Sequence, residues 1–317
     1  MTAAPCAVSI VLSTRNNAAR LAVTLGGFRH LGSPPSGAWE IIAVDNGSTD
    51  ATAQVLAAAA GQLPLRAVSC PTAGLSAARN AGIAAAKGRL LIFTDDDVTV
   101  PSDWLATYTA AYRAHGRACF YGGPITSQYE GAPVADDLLP YAPNSVKGLD
   151  WGPASRFLEE KEWFVGANWA CDAGLVVEAG GFDQRFGLGQ PHGPIVGEEN
   201  LLMDTLKARG IRGLYLPAAG IGHWVPSWKT GPSHILERWE HSLTVRTWRE
   251  PSPQWKTVFG VPRWHYRELL AAGAGLVVAT LAGRRRIEHI VRFRRACGVA
   301  RGHRLKAKGL GSDVRAG

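Results

Sequence analysis

Cysteine is sparse and carries no pattern. Five occur in 317 residues, and no two stand in C-x-x-C spacing. Neither a zinc module nor a disulfide scaffold is indicated, and a reducing, cytoplasmic setting is expected. Long hydrophobic runs are missing as well. The nearest, Leu269–Ala282, has 14 residues, short of the ~20 that cross a bilayer. No leader is expected either, because Met1–Pro5 contains no Lys or Arg and the apolar run Ala7–Leu12 is brief. The 37 glycines and 19 prolines follow no period, which excludes collagen-like and low-complexity chains. No internal repeat is found. Acidic residues are rare at one end: residues 284–317 hold 11 Lys and Arg against 2 Asp and Glu, whereas 1–283 hold 23 and 24. The body is near neutral and the basic tail suits a surface contact, so nucleic acid is not an expected partner.

What is present suits a globular α/β chain. Hydrophobic residues make up 46% and charged residues 19%, enough for a packed core. Short apolar, β-branched runs at Ala7–Leu12, Trp39–Val44 and Arg89–Thr94 read as buried strands, with a weaker one at Leu65–Ser69. Helical segments fall between them at Ala18–Phe28, Ala51–Ala60, Ser76–Ala86 and Pro101–Ala114. Alternating strands and helices imply crossovers and a mostly parallel sheet. Residues 121–195 read as irregular. Glu198–Arg209 then reads as a helix, Leu214–Pro217 as a short strand, and the Trp- and Arg-rich remainder from about 225 as helical.

All three strong strands run into polar clusters: Ser13-Thr14-Arg15-Asn16, Asp45-Asn46-Gly47-Ser48 and Asp95-Asp96-Asp97. Ligands of open α/β sheets sit beyond the carboxyl ends of the strands, so one site is expected across this edge. The clusters lack G-x-G-x-x-G after the first strand, which excludes a dinucleotide-dependent oxidoreductase. Three consecutive acids after a buried strand repel one another unless a hard cation lies between them. The competing explanation is a solvated turn that caps the next helix.

The segments VSIVLSTRNNAARL, IIAVDNGSTDAT and GLSAARNAGIAAAKGRLLIFTDDDV, followed by FVGANWACDAGLVVEAGGFDQRFGLG, GEENLLMDTLKARG and GIGHWVP, resemble an inverting family 2 glycosyltransferase with the GT-A fold. The resemblance implies a Rossmann-like, mostly parallel sheet flanked by helices: residues 1–125 would be the nucleotide-sugar-binding half of the domain, 126–226 its acceptor-side half, and 227–317 a helical basic extension. It also implies roles. Thr14 and Arg15 would line the nucleotide pocket, and Asp45 would contact the base, commonly uracil. Arg79 would approach the nucleotide or diphosphate, with a solvated helix face as the alternative. Asp95 and Asp96 would face ribose and donor sugar. Asp97 would hold Mn²⁺ or Mg²⁺, with His223 as a further ligand unless it is a packed histidine.

The family's base is the second acid of a Glu-Asp pair opening a helix. Here the pair is Glu198-Glu199, so Glu199 is the matching base and Glu198 stays in contention. Trp163, Gly166 and Asn168 would border donor sugar and acceptor, and the Gly- and Pro-rich stretch 184–196 suits a closing loop. The implied reaction moves a sugar from a nucleoside-diphosphate sugar, UDP-linked by the family's habit, to a glycan or lipid-linked acceptor in envelope polysaccharide synthesis. A non-catalytic sugar-nucleotide or glycan-binding module on the same fold is the alternative. The apolar segment and basic residues of 269–315 suit peripheral contact with the inner face of the plasma membrane; a helix pair covering the domain is the competing explanation.

Overall fold

A computed structural model describes residues 7–32, 38–187, 196–250, 255–283 and 286–308. The closing loop expected at 184–196 lies mostly outside the described residues, as do 284, 285 and 309–317 of the tail.

The chain runs β1 (Val8–Thr14), α1 (Ala18–Phe28), β2 (Trp39–Asp45), α2 (Thr52–Ala60), β3 (Leu65–Ser69), α3 (Leu75–Ala85) and β4 (Leu90–Asp95). It continues with β5 (Val98–Thr99), α4 (Trp104–His115), β6 (Cys119–Gly122), β7 (Ile125–Tyr129), α5 (Asn144–Lys147), β8 (Arg156–Phe157), β9 (Asn168–Asp172) and α6 (Ala173–Glu178). The last part holds α7 (Glu198–Ala208), β10 (Arg212–Tyr215), β11 (Ile221–Val225), α8 (Pro232–Arg249), β12 (Thr257–Val258), β13 (Val261–Pro262), α9 (Arg263–Leu281) and α10 (Arg286–Ala307).

An eight-stranded sheet has the order β3-β2-β1-β4-β9-β6-β10-β8. β3, β2, β1 and β4 are parallel, and β9 enters antiparallel between β4 and β6. Continuous apolar strands follow from cover on both faces. Val8, Ile10, Leu12, Ile41, Ala43, Leu90 and Ile92 face one core with α1 and α4; Val11, Leu91 and Phe93 face the other with Trp169 and Met203. α3 lies directly on the strands because residue 82 is glycine: a Cβ there would sit 2.5 Å from Val11 Cγ1.

The stretch 121–195, expected to be irregular, contributes β7, β8 and the central strand β9. The segment NWACD is only five residues long, all of them buried, and has no alternation by which to announce itself. Its neighbours in the sheet, not its own pattern, make it a strand. After β11, α8 to α10 form a helical layer in which α10 packs on both other helices. Ile235 and Leu236 of α8 join Val134, Val146, Val225 and Val291 in a separate apolar cluster.

Candidate active site

Parallel register aligns the polar ends. Thr14 pairs with Asp45 across β1 and β2, and Ser13 with Asp95 across β1 and β4. The loops after β1 and β2 are tied together: Asn16, at φ 51°, accepts from the Thr49 amide at 2.7 Å, its own amide donates to Ser48 Oγ at 2.9 Å, and the Ala18 amide donates to Asp50 at 3.0 Å. Asp45 accepts from the Ser48 amide through Oδ1 at 2.9 Å. Arg15 is exposed just beyond β1. Buried Asn46, not singled out by the sequence, donates to the Cys70 and Thr72 carbonyls and accepts from the Gly74 amide, so it shapes the approach to α3.

The acidic triplet splits three ways because the chain turns between β4 and β5. Asp95 ends β4 and meets Arg79 Nη2 at 3.3 Å. Asp96 turns back toward β1, accepting from Thr14 Oγ1 at 2.5 Å and Asn17 Nδ2 at 2.8 Å. Both oxygens of the residue expected to face ribose and sugar are therefore used to brace the turn, and Thr14 spends its hydroxyl there too. Asp97 points the other way, its Oδ1 3.3 Å from His223 Nε2 on β11.

Asp95, Asp97 and His223 each offer a ligand atom, and those atoms lie within 4.8 Å of one another. This brings together the two expected metal residues and adds Asp95, which the sequence placed toward the donor. Asp97 Oδ1 is buried with no hydrogen-bond partner, an arrangement proteins rarely leave uncompensated. Burial first, and the charge of Asp95 second, push the Asp97 carboxyl up to about 7. Burial likewise raises Asp96 to about 7 against the Thr14 hydrogen bond. Burial lowers the His223 imidazole against the pull of Asp95, which favours the neutral, ligating form. Two carboxylates and one imidazole fit a divalent cation, and the nitrogen shifts preference from Mg²⁺ toward Mn²⁺.

Arg79 is buried on α3 rather than solvated. Nη1 donates to Glu198 Oε1 at 2.9 Å and Nη2 reaches Asp95. Burial pulls the guanidinium down, but Asp95 and Glu198 hold it above its ordinary value. Gly166 is what admits it: a Cβ there would lie 2.7 Å from Arg79 Nη2. Arg79 thus joins the cation cluster to the start of α7. Glu198 is buried in that ion pair. Its half-buried neighbour Glu199 has no ion pair within 4 Å among the described residues. Burial, and then the charge of Glu198, push Glu199 up to about 7, with Arg79 opposing.

Two residues expected on the sugar side have their polar atoms engaged within the protein. Asn168 is fully buried; it accepts from Trp104 Nε1 and Tyr108 Oη and donates to the Pro124 and Ala219 carbonyls. Every polar atom of its amide is committed to scaffold. The Trp163 indole donates to Asp204 at 2.5 Å on α7 and lies 5.2 Å beneath Lys207.

Cations that the sequence reading passed over surround the cluster: Arg20 lies 3.7 Å over the Trp224 ring and, with Lys229, favours ionised Asp97. They sit on α1 and after β11, far apart in sequence, so no local pattern marks them.

The glycosyl transferase family 2 model matches residues 9–163. Succinoglycan biosynthesis protein ExoM of Rhizobium meliloti (strain 1021) is 30% identical over 111 residues, which is 34% of this chain and 36% of that protein. The match spans about a third of the relative's length. The mannosyltransferase PcManGT from Pyrobaculum calidifontis, solved with GDP-Man and Mn²⁺, superposes with a TM-score of 0.57 at 17% identity, covering 96% of this chain and 90% of that one. S. aureus TarS 1–349, solved with UDP-GlcNAc, gives 0.56 at 14% identity, covering 96% and 92%. At such identities the likeness establishes the fold, a GT-A architecture. Residues 9–163 are thus glycosyl transferase family 2 sequence, and the described chain has the GT-A architecture.

Proposed function

We infer that the protein transfers a sugar, with inversion, from a nucleoside-diphosphate sugar to a hydroxyl of a glycan or lipid-linked acceptor, on the cytoplasmic side of the membrane and in polysaccharide biosynthesis. The observation that carries this is the Arg79 bridge. One buried guanidinium holds the Asp95 carboxylate of a cation-binding cluster and the Glu198 carboxylate at the start of the α7 helix. Leaving-group and base machinery are thereby fixed relative to each other, as a single in-line displacement needs.

Asp95, Asp97 and His223 would hold a divalent cation, Mn²⁺ in preference to Mg²⁺, which when bound neutralises charge on a departing diphosphate. The residues then divide the work. Asp45 keeps one carboxylate oxygen beyond its Ser48 contact for a nucleobase N–H, with uracil as the first candidate. Arg15, exposed at the same sheet edge, faces the nucleotide. Glu199 takes the acceptor hydroxyl's proton. Its neighbour Glu198 is already paired with Arg79, and a carboxylate near pH 7 in its titration is poised for that transfer.

The test is a thermal-shift panel of nucleoside diphosphates and their sugars, with and without Mn²⁺, followed by transfer assays on the donor that stabilises most. The expected result is cation-dependent stabilisation by one base, and a product whose anomeric configuration is opposite to the donor's. Retention of configuration, or no stabilisation by any sugar nucleotide, overturns the reading.

A further inference from the structure

Large apolar side chains left in solvent are concentrated in one place. Among the described residues, eight of thirteen fall between residues 255 and 281. On α9, Leu270, Ala274, Val277 and Leu281 recur at helical spacing and are all exposed, Leu270 at 75% and Leu281 at 83%. Side chains three and four apart share a face, so these form one stripe, roughly 17 Å long at the helical rise. The same register brings exposed Arg263 and Arg267 onto that face, two turns and about one turn before Leu270 respectively. The helix's exposed acid, Glu268, is off the stripe and lies 3.2 Å from His265. The other side of α9 is covered by α10, where Phe293 and His289 approach Gly273 and Gly275.

The β12–β13 hairpin extends the stripe. Tyr266, four residues before Leu270 and so on the same side, donates through Oη to the Val258 carbonyl at 2.9 Å. At the hairpin tip Phe259 is 86% exposed and has φ 48°, a backbone region that bulky residues avoid. At that exposure the ring is held in water rather than against the described part of the chain.

We propose that the outer face of α9, together with the Phe259 hairpin tip, docks into the headgroup layer of an anionic lipid bilayer. No helix among the described residues is long and apolar enough to cross a membrane, so α9 lies in the interface plane. Charge selects the occupant. Arg263 and Arg267 flank one end of the stripe, Arg284-Arg285-Arg286 follow the other in sequence, and residues 284–317 hold 11 basic against 2 acidic residues. Anionic headgroups complement that charge. A second copy of the chain would present the same sign and be repelled. The proposal stands on this surface alone and does not require the transfer activity.

The full chain is to be sedimented with vesicles of phosphatidylcholine alone and with phosphatidylglycerol added, at low and high salt. The expected result is binding to the anionic vesicles, weakened by salt, and a partition coefficient about 100-fold lower in the triple variant Leu270→Gln, Val277→Gln, Leu281→Gln. Should the triple variant fail to fold, Phe259→Ser and Leu281→Gln singly are each expected to lower binding several-fold. Equal binding to both vesicle types, no binding, or variants that bind like the parent overturn the proposal. So does light scattering that shows a dimer which the Gln substitutions dissolve, because the face would then be a self-association surface.

Discussion

Arg79 Nη1 lies 2.9 Å from Glu198 Oε1, and both side chains are buried. A charge pair taken out of water is held together by mutual attraction and costs most when one partner is removed. This pair connects α3 to α7 across 119 residues of sequence, so it organises the site more than it recognises substrate. Arg79→Ala leaves Glu198 buried and unpaired. Denaturant unfolding is expected to show a loss of about 3–5 kcal/mol, with activity falling as well, and Glu198→Gln in the same background is expected to recover part of the stability.

Gly166 makes room for that guanidinium. Gly166→Ala puts a Cβ 2.7 Å from Arg79 Nη2, a clash that costs roughly 1–3 kcal/mol as overpacking. The expected signature is lower stability together with lower kcat, measured by unfolding and by transfer kinetics. An effect on kcat without one on stability would place Gly166 against substrate instead.

Asp97→Ala is expected to preserve the fold and to abolish both turnover and Mn²⁺-dependent nucleotide binding. His223→Ala removes one nitrogen ligand and is expected to weaken Mn²⁺ binding while narrowing the preference for Mn²⁺ over Mg²⁺. Thermal shift with each cation reads both outcomes without turnover. Full activity in Asp97→Ala would remove the cation site from the mechanism.

Glu199 sets the pH response. Its carboxyl is pushed up to about 7, and a base works in its ionised form. kcat is therefore expected to rise with pH and level off above about 7. Stability moves the other way: the folded state holds this proton more tightly than the unfolded chain, so Glu199's contribution is full at acid pH and lost as pH climbs through about 7. Glu199→Gln should remove the acid limb of the profile and lower kcat by about 10²–10⁴-fold. A pH profile unchanged in Glu199→Gln would assign the limb to another group.

Asn168 separates scaffold from substrate contact. Asn168→Ala strips partners from Trp104 Nε1, Tyr108 Oη and two carbonyls, each worth about 1–3 kcal/mol when left buried and unsatisfied. Severe destabilisation with an unchanged KM in whatever folds is the expected outcome. A raised KM at normal stability would return Asn168 to the sugar pocket.

The apolar runs at Ala7–Leu12, Trp39–Val44 and Arg89–Thr94 declared themselves as the buried strands β1, β2 and β4, because a strand covered on both faces is continuous in hydrophobicity. Their polar ends marked the candidate site, since a parallel sheet brings carboxyl ends to one edge. Local sequence also marked the acidic triplet and the Glu198-Glu199 pair. It could not assign them, because an acid's role depends on what faces it across the fold.

A turn after Asp95 sent Asp96 to Thr14 and Asp97 to His223, and a guanidinium on α3 distinguished Glu198 from Glu199. β9, and the scaffold contacts of Asn168 within it, were equally invisible: five buried residues without a period become a strand only when β4 and β6 supply the hydrogen bonds. Composition and periodicity are properties of neighbours in the chain, and they were enough for the architecture. Partnerships such as those of Arg79 with Asp95 and Glu198, 16 and 119 positions away, are properties of packing, and packing alone decided which carboxylate joins the His223 cluster, which braces β1 and which stays without an ion pair among the described residues.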